Sequence, residues 1–195
     1  MWRSRGPSGS PIRWASRSNG AAKILSDPAF ISLGSNVEPE RNLPRAVRAL
    51  AAIGTVTAVS RVYQSAAVGS PGQPDFLNAG VLMPVAMPPL ELRRRLRALE
   101  RRLGRRRPAA PYAPRTCDLD LCLLGHRIVE TETWRLPDPD ILSRTYLAVT
   151  LAELAPCFRH PVTGEELQEI ARRLKPNARL IPRDDVDLGR ELAAE

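Results

Sequence analysis

"RTCDLDLCLLG", Arg115 to Gly125, alternates like a strand but sets Asp118 and Asp120 into an otherwise apolar run. Successive strand side chains point to opposite faces, so the two carboxylates share one face, roughly 6–7 Å apart at about 3.3 Å per residue. Leu119, Leu121 and Leu123 then share the other face, which predicts helices packed against it. The segments upstream supply them. "LELRRRLRALERRLG" (Leu90–Gly104) is opened by Pro88 and Pro89 and closed by Gly104, and reads as a helix with Leu90, Leu92, Leu96, Leu99 and Leu103 as its core stripe. "FLNAGVLMPVA" (Phe76–Ala86) and "TVTAVSRVYQS" (Thr55–Ser65) are β-branched strands. Before them, "PERNLPRAVRALAAIG" (Pro39–Gly54) is an amphipathic helix with Leu43, Val47, Leu50 and Ala51 inward, and "AFISLGS" (Ala29–Ser35) is a short first strand.

The order β-α-β-β-α-β implies an α+β fold, a ferredoxin-like α/β sandwich in which helices cover one face of a central antiparallel sheet. The other face must be covered by loops or be used. "RIVE" (Arg127–Glu130) is expected to partner the acidic strand, and "DILSRTYLAVTLAELAP" (Asp140–Pro156) opens a set of C-terminal helices. A chain of 195 residues suits one such domain. Its expected bounds are residues 28–176, after a basic N-terminal extension at 1–27 expected to be disordered and before a loosely attached C-terminal extension at 177–195 rich in proline and charge.

The net charge of +8 suggests an anionic partner, but Arg3, Arg5, Arg13, Arg17 and Lys23 precede the first acid, and the rest carries +3. That excess suits a phosphorylated small molecule and does not demand nucleic acid. Cys117, Cys122 and Cys157 form no CxxC pair and are expected to be reduced and buried. No apolar run reaches the roughly 18 residues of a membrane span. The cytoplasm is the expected compartment, with organellar import if the acid-free N-terminal segment is a transit peptide.

Two constellations carry chemistry. Asp118 and Asp120 suit Mg²⁺, which takes one or two carboxylates and completes its shell with water and phosphate oxygens. A strand with one wet face explains the same alternation equally well. Arg105, Arg107 and Arg115 flank a Pro/Ala loop before the acidic strand, and guanidinium forks match phosphate oxygens. Arg106 reads as solvated. In the second constellation, Phe76 and Asn78 lie two apart after a Gly/Pro/Ser loop: a ring that can stack and an amide that can read a heterocycle's edge. Phe76 fits a core position equally well. His126 and His160 read as structural.

"ISLGSN", "FLNAGV" after "GQPD", "LERRLGR", "APRTCDLDL", "LAELAP" and "HPVTGEEL" occur here in the order of the 6-hydroxymethyl-7,8-dihydropterin pyrophosphokinases of folate biosynthesis, which the chain resembles from about Phe30 to Leu174. The resemblance implies a transferase that moves pyrophosphate from ATP to the pterin hydroxymethyl group and releases AMP. It implies that Asp118 and Asp120 hold two Mg²⁺ ions and that Arg105 and Arg115 stabilise the transferring charge. Glu100, Arg107, Arg115, Leu121 and Arg144 become ATP contacts. Ser65, Val68, Phe76, Asn78 and Tyr146 become the pterin site. Other folate-pathway enzymes become candidate partners.

The sequence also departs from that pattern. Tyr112 stands where many relatives have a loop tryptophan, Pro111 where a basic residue precedes it, and Asp138 where the family often has a histidine that contacts ATP. Two rival readings follow: a basic RNA-binding module of the same fold, and a non-catalytic pterin-binding homologue.

Overall fold

The computed structural model describes residues 26–67, 72–105, 114–175 and 180–192. β1 (Asp27–Ser35) lies between β5 (Asp118–Leu124) and β4 (Phe76–Val85) in a six-stranded antiparallel sheet of order β5-β1-β4-β3-β8, with β3 (Tyr63–Ser65) and β8 (Ile181–Pro182) beyond β4. β2 (Ala58–Val59) also pairs with β4. The four core strands and the two helices between them follow the ferredoxin-like plan.

α1 (Pro39–Leu50) and α2 (Pro89–Arg102) cover one face. Leu43, Ala46, Val47 and Leu50 of α1 and Leu92, Leu96 and Leu99 of α2 pack on Ala29, Ile31, Leu33, Ala79, Val81, Leu119 and Leu121. Ala51 lies past the helix end and is exposed, Ala46 serving in its place. Leu90 is not part of the α2 stripe but 57% exposed, because a residue two before Leu92 points to the far side of a helix.

The opposite face is not left to loops. α3 (Thr145–Leu154) and α4 (Leu167–Leu174) bury Leu147, Ala148, Leu151 and Ile170 against Phe30, Tyr63 and Leu82, so helices cover both faces. They reach only part of it, and the free remainder holds the cleft described below. The helix expected over 140–156 is interrupted: Asp138 accepts the Asp140 N–H at 2.9 Å and caps a 3-10 turn, Pro139–Leu142, ahead of α3.

Other sequence expectations are corrected in detail. The strand expected over 55–65 breaks at Ser60, whose hydroxyl replaces a backbone acceptor by taking the Gly80 N–H at 2.7 Å. Val129–Thr131 (β6) pairs with Trp134–Leu136 (β7) in a separate hairpin and not with the acidic strand. The register of β1 against β5 slips between Phe30 and Ile31, placing both Cys122 and Leu123 on the α3 face and returning Leu124 to the α1–α2 face. A bulge of this kind inverts alternation beyond it. Cys117 and Cys122 are buried and free as expected, whereas Cys157 is exposed. Finally, the C-terminal segment is built in: β8 extends the sheet, and Val186 and Leu188 join the core. Among the described residues no helix is long and apolar enough to cross a membrane.

Candidate functional site

The uncovered end of the α3 face forms a cleft of about 290 Å³. Its floor follows from strand register. Gly34 of β1 lies between Asn78 of β4 and Asp118 of β5, and Ser32 lies between Gly80 and Asp120. An amide and a carboxylate therefore stand in one row, two strand spacings or roughly 10 Å apart, across a glycine. A Cβ at Gly34 would touch Asn78 Oδ1 at 3.5 Å and Asp118 Cβ at 3.8 Å, so glycine keeps that floor open. Ser65, Ala66, Gln73 and Phe76, from β3, β4 and the loop between them, line it together with Arg115 and with Asp140, Arg144 and Tyr146 from the turn before α3 and its first residues.

Asp118 is buried and paired with two guanidiniums, Arg105 Nη1 and Arg115 Nη1. Arg105 in turn pairs with Glu100, a buried α2 residue that also accepts the Leu119 N–H at 2.8 Å. Burial pushes the Glu100 carboxyl above its usual range, and Asp118 adds to the shift against the opposing Leu119 N–H and Arg105. Asp120 has no hydrogen-bond partner for its carboxyl among the described residues. Desolvation, followed by the charges of Asp118, Asp138 and Glu100, pushes its pKa up to about 7. The residue is solvent-exposed although protein atoms crowd it, so water screens its charge more than the crowding alone implies.

At the other end of the row, Asn78 Nδ2 donates to Ser65 Oγ at 2.9 Å and to the Tyr63 carbonyl at 3.4 Å. This fixes the amide and turns Oδ1 toward Gly34 and the cleft. Burial pushes the Tyr146 hydroxyl up to about 12, so the ring is neutral at physiological pH. Arg144 Nε lies 3.5 Å from Asp140 Oδ2.

The structure thus gathers Ser65, Phe76, Asn78, Arg115, Asp118, Asp120, Arg144 and Tyr146 around one cleft, with Arg105 and Glu100 behind Asp118. Leu121 is not brought there: its side chain lies in the α1–α2 core, 3% exposed. Val68 and Arg107, with Arg106, Pro111 and Tyr112, lie outside the described residues. Asp138 is committed to capping and does not line the cleft. Sequence reasoning missed Ser32, Gly34, Ala66, Gln73 and Asp140. Ser32 and Gly34 alternate with Ile31 and Leu33, so the period-two rule applied to β1 would have found them. It also missed Asn36, which joins two loops: its Oδ1 accepts the Arg115 N–H at 2.7 Å and its Nδ2 donates to the Pro74 carbonyl at 3.3 Å.

Comparison with known proteins bears on this arrangement. The model of a family described as 7,8-dihydro-6-hydroxymethylpterin-pyrophosphokinase (HPPK) matches residues 30–156. A 2-amino-4-hydroxy-6-hydroxymethyldihydropteridine pyrophosphokinase of Synechocystis is 34% identical over 170 residues, covering 86% of each chain. One of Bacillus subtilis is 35% identical over 149 residues, covering 74% of this chain and 88% of that one. Among solved structures, a Plasmodium falciparum HPPK-DHPS superposes with a TM-score of 0.62 at 10% identity over 76% of this chain. This chain spans 43% of that longer protein, and the likeness concerns the fold.

Proposed function

The chain belongs to the 7,8-dihydro-6-hydroxymethylpterin-pyrophosphokinase family and is a transferase, and from that premise we propose which residues of its cleft do what. The family's reaction moves pyrophosphate from ATP to hydroxymethyldihydropterin in folate synthesis. In the proposed step the pterin hydroxymethyl oxygen attacks the β-phosphorus of ATP, the bond from that phosphorus to the α–β bridging oxygen breaks, and AMP leaves while the hydroxyl proton passes to solvent.

The observation that carries the assignment is the row Asn78–Gly34–Asp118, which puts a heterocycle reader and a carboxylate pair at opposite ends of one floor. Asn78 Oδ1 and Ser65 face the pterin edge, and Phe76 and the neutral Tyr146 ring hold its faces. Arg115 and Arg144, which also line the cleft, bind the phosphates. Arg105 and Glu100 hold Asp118 in place. Val68 and Arg107 join the pterin and ATP sites respectively in this reading.

The donor set fits Mg²⁺. Two carboxylates share one strand face, and among the described residues no cluster of three or more His, Cys, Asp or Glu stands ready to complete a cage. Water and phosphate oxygens are left to fill the shell, as Mg²⁺ prefers. Two Mg²⁺ ions bound there would neutralise the phosphate charge and orient ATP for in-line displacement. The sheet face that an RNA-binding module would use carries these two acids and is partly roofed by α3, which favours the enzyme reading.

Incubation of the purified protein with Mg-ATP and 6-hydroxymethyl-7,8-dihydropterin, with AMP resolved from ADP by chromatography, tests the proposal. Pterin-dependent AMP supports it; its absence from folded protein sinks it.

A further inference from the structure

Residues 180–192 follow the stretch that matches the family, yet they are tied to the cleft wall. Ile181 and Pro182 pair with Gln64 and Tyr63, and the Arg183 backbone N–H donates to the Val62 carbonyl at 2.9 Å. This registers the Arg183 side chain over the end of β3. Its guanidinium grips Asp185 at 2.7 and 2.8 Å, reaches Glu40 at the start of α1 at 3.0 Å, and donates from Nη1 to Gln64 Oε1 at 3.2 Å. Gln64 Nε2 then donates to Asp75 Oδ2 at 2.8 Å.

The polarity of this relay is specific. Arginine only donates and an ionised carboxylate only accepts, so the residue between them must do both, and an amide does. The location matters equally. Gln64 immediately precedes Ser65 and Ala66, Asp75 immediately precedes Phe76, and Ser65 pairs with Phe76. The relay therefore bridges the two strands where the intervening loop leaves and returns, next to side chains assigned above to the pterin.

We propose that Arg183 is a positioning residue for the pterin wall, acting through Gln64 and Asp75 on Ser65 and Phe76. The inference rests on the pterin assignment of that wall. Exposed ion pairs contribute little to overall stability, so the relay acts on the pose of the wall more than on the folded fraction.

The test uses the full chain with Arg183→Ala and Gln64→Glu. The second variant keeps an acceptor for Arg183 but sets a carboxylate against Asp75, so it severs only the downstream link. Both variants should raise the pterin KM about three- to tenfold, the size expected when one positioning hydrogen bond is lost, with kcat and the ATP KM near wild type. Both should also speed hydrogen exchange at residues 72–77. Wild-type exchange there in both variants would overturn the relay. Faster exchange with an unchanged pterin KM in an active enzyme would overturn its role in positioning. Wild-type protein that makes no pterin-dependent AMP would overturn the proposed function, and the KM effect with it, while the exchange comparison would still decide the relay.

Discussion

Asp118 and Asp120 share a strand face, yet they meet different surroundings. Asp118 pairs with two guanidiniums, whereas Asp120 lines the open cleft under the charges of Asp118, Asp138 and Glu100, opposed by Arg105. The Asp120 pKa is about 7 in the folded protein against an ordinary 3.8, so between those values the folded state binds more protons than the unfolded chain. Stability must fall as pH rises through that window; the penalty is complete above about pH 7 and absent below about pH 4. Asp120→Asn in chelator should therefore stabilise the protein at about pH 8 by on the order of 1 kcal/mol after solvent screening, seen as a Tm rise of about 2–4 °C, and by nothing at about pH 4. A gain of equal size at both pH values would rule out charge repulsion as its source. Mg²⁺ at about pH 8 should raise the Tm of wild type and leave that of Asp120→Asn nearly unmoved, and equal rises in both would remove Asp120 from the metal assignment. Arg115 differs from Arg105 in lining the cleft itself. Arg115→Ala should lower the single-turnover rate by about 10²–10³ with pterin affinity little changed, the usual loss for a preorganised charge stabiliser; an unchanged rate would confine Arg115 to holding Asp118.

Among the elements, α3 decides how much of the second sheet face stays open, and Gly80 decides how closely α3 sits. A Cβ at Gly80 would lie 3.0 Å from Leu154 Cδ1, 3.2 Å from the Thr150 carbonyl oxygen and 3.3 Å from Thr150 Cβ. The leucine tip can turn aside, but the carbonyl belongs to the helix backbone. Gly80→Ala should cost about 1–2 kcal/mol of stability in urea denaturation and weaken pterin binding, because α3 carries Tyr146 into the cleft. A wild-type denaturation midpoint would mean that α3 shifts without cost. The sequence made much of this frame legible. Periodicity located β1, β4, β5, α1 and α2, and alternation put Asp118 with Asp120 and Phe76 with Asn78; it did not single out α4, whose Leu167, Ile170 and Ala171 are buried. It failed where a local event overrides a period. The slip opposite Phe30 and Ile31 inverts Leu123 without any Gly or Pro to mark it. The hydroxyl of Ser60 splits a strand of otherwise sound β-propensity. Leu90 matches the stripe in hydrophobicity, but helical geometry turns it to the exposed side. The C-terminal segment read as loose because its charges look solvated, whereas Arg183 and Glu191 find partners on α1, in Glu40 and Arg48, that are remote in sequence.

For the whole molecule, charge is arranged by position more than by total. The chain is strongly basic, but among the described residues lining the cleft Arg115 and Arg144 stand against Asp118, Asp120 and Asp140, so these residues carry no cationic excess. A highly charged ATP must then rely on arginines already engaged with carboxylates, helped by Mg²⁺ in the proposed mechanism. The pterin is uncharged and, in the proposed arrangement, meets Asn78, Phe76 and Tyr146. The two substrates should therefore answer salt differently. Between about 0.1 M and about 1 M salt the Debye length shrinks from about 10 Å to about 3 Å, weakening attraction beyond direct contact. With Mg²⁺ in excess throughout, the ATP KM should rise roughly three- to tenfold across that range while the pterin KM stays within about twofold. Initial-rate measurements at matched saturation of the other substrate would show it. Equal responses would mean that the arginine wall does not read the phosphates, and a larger response from pterin would exchange the two ends of the cleft.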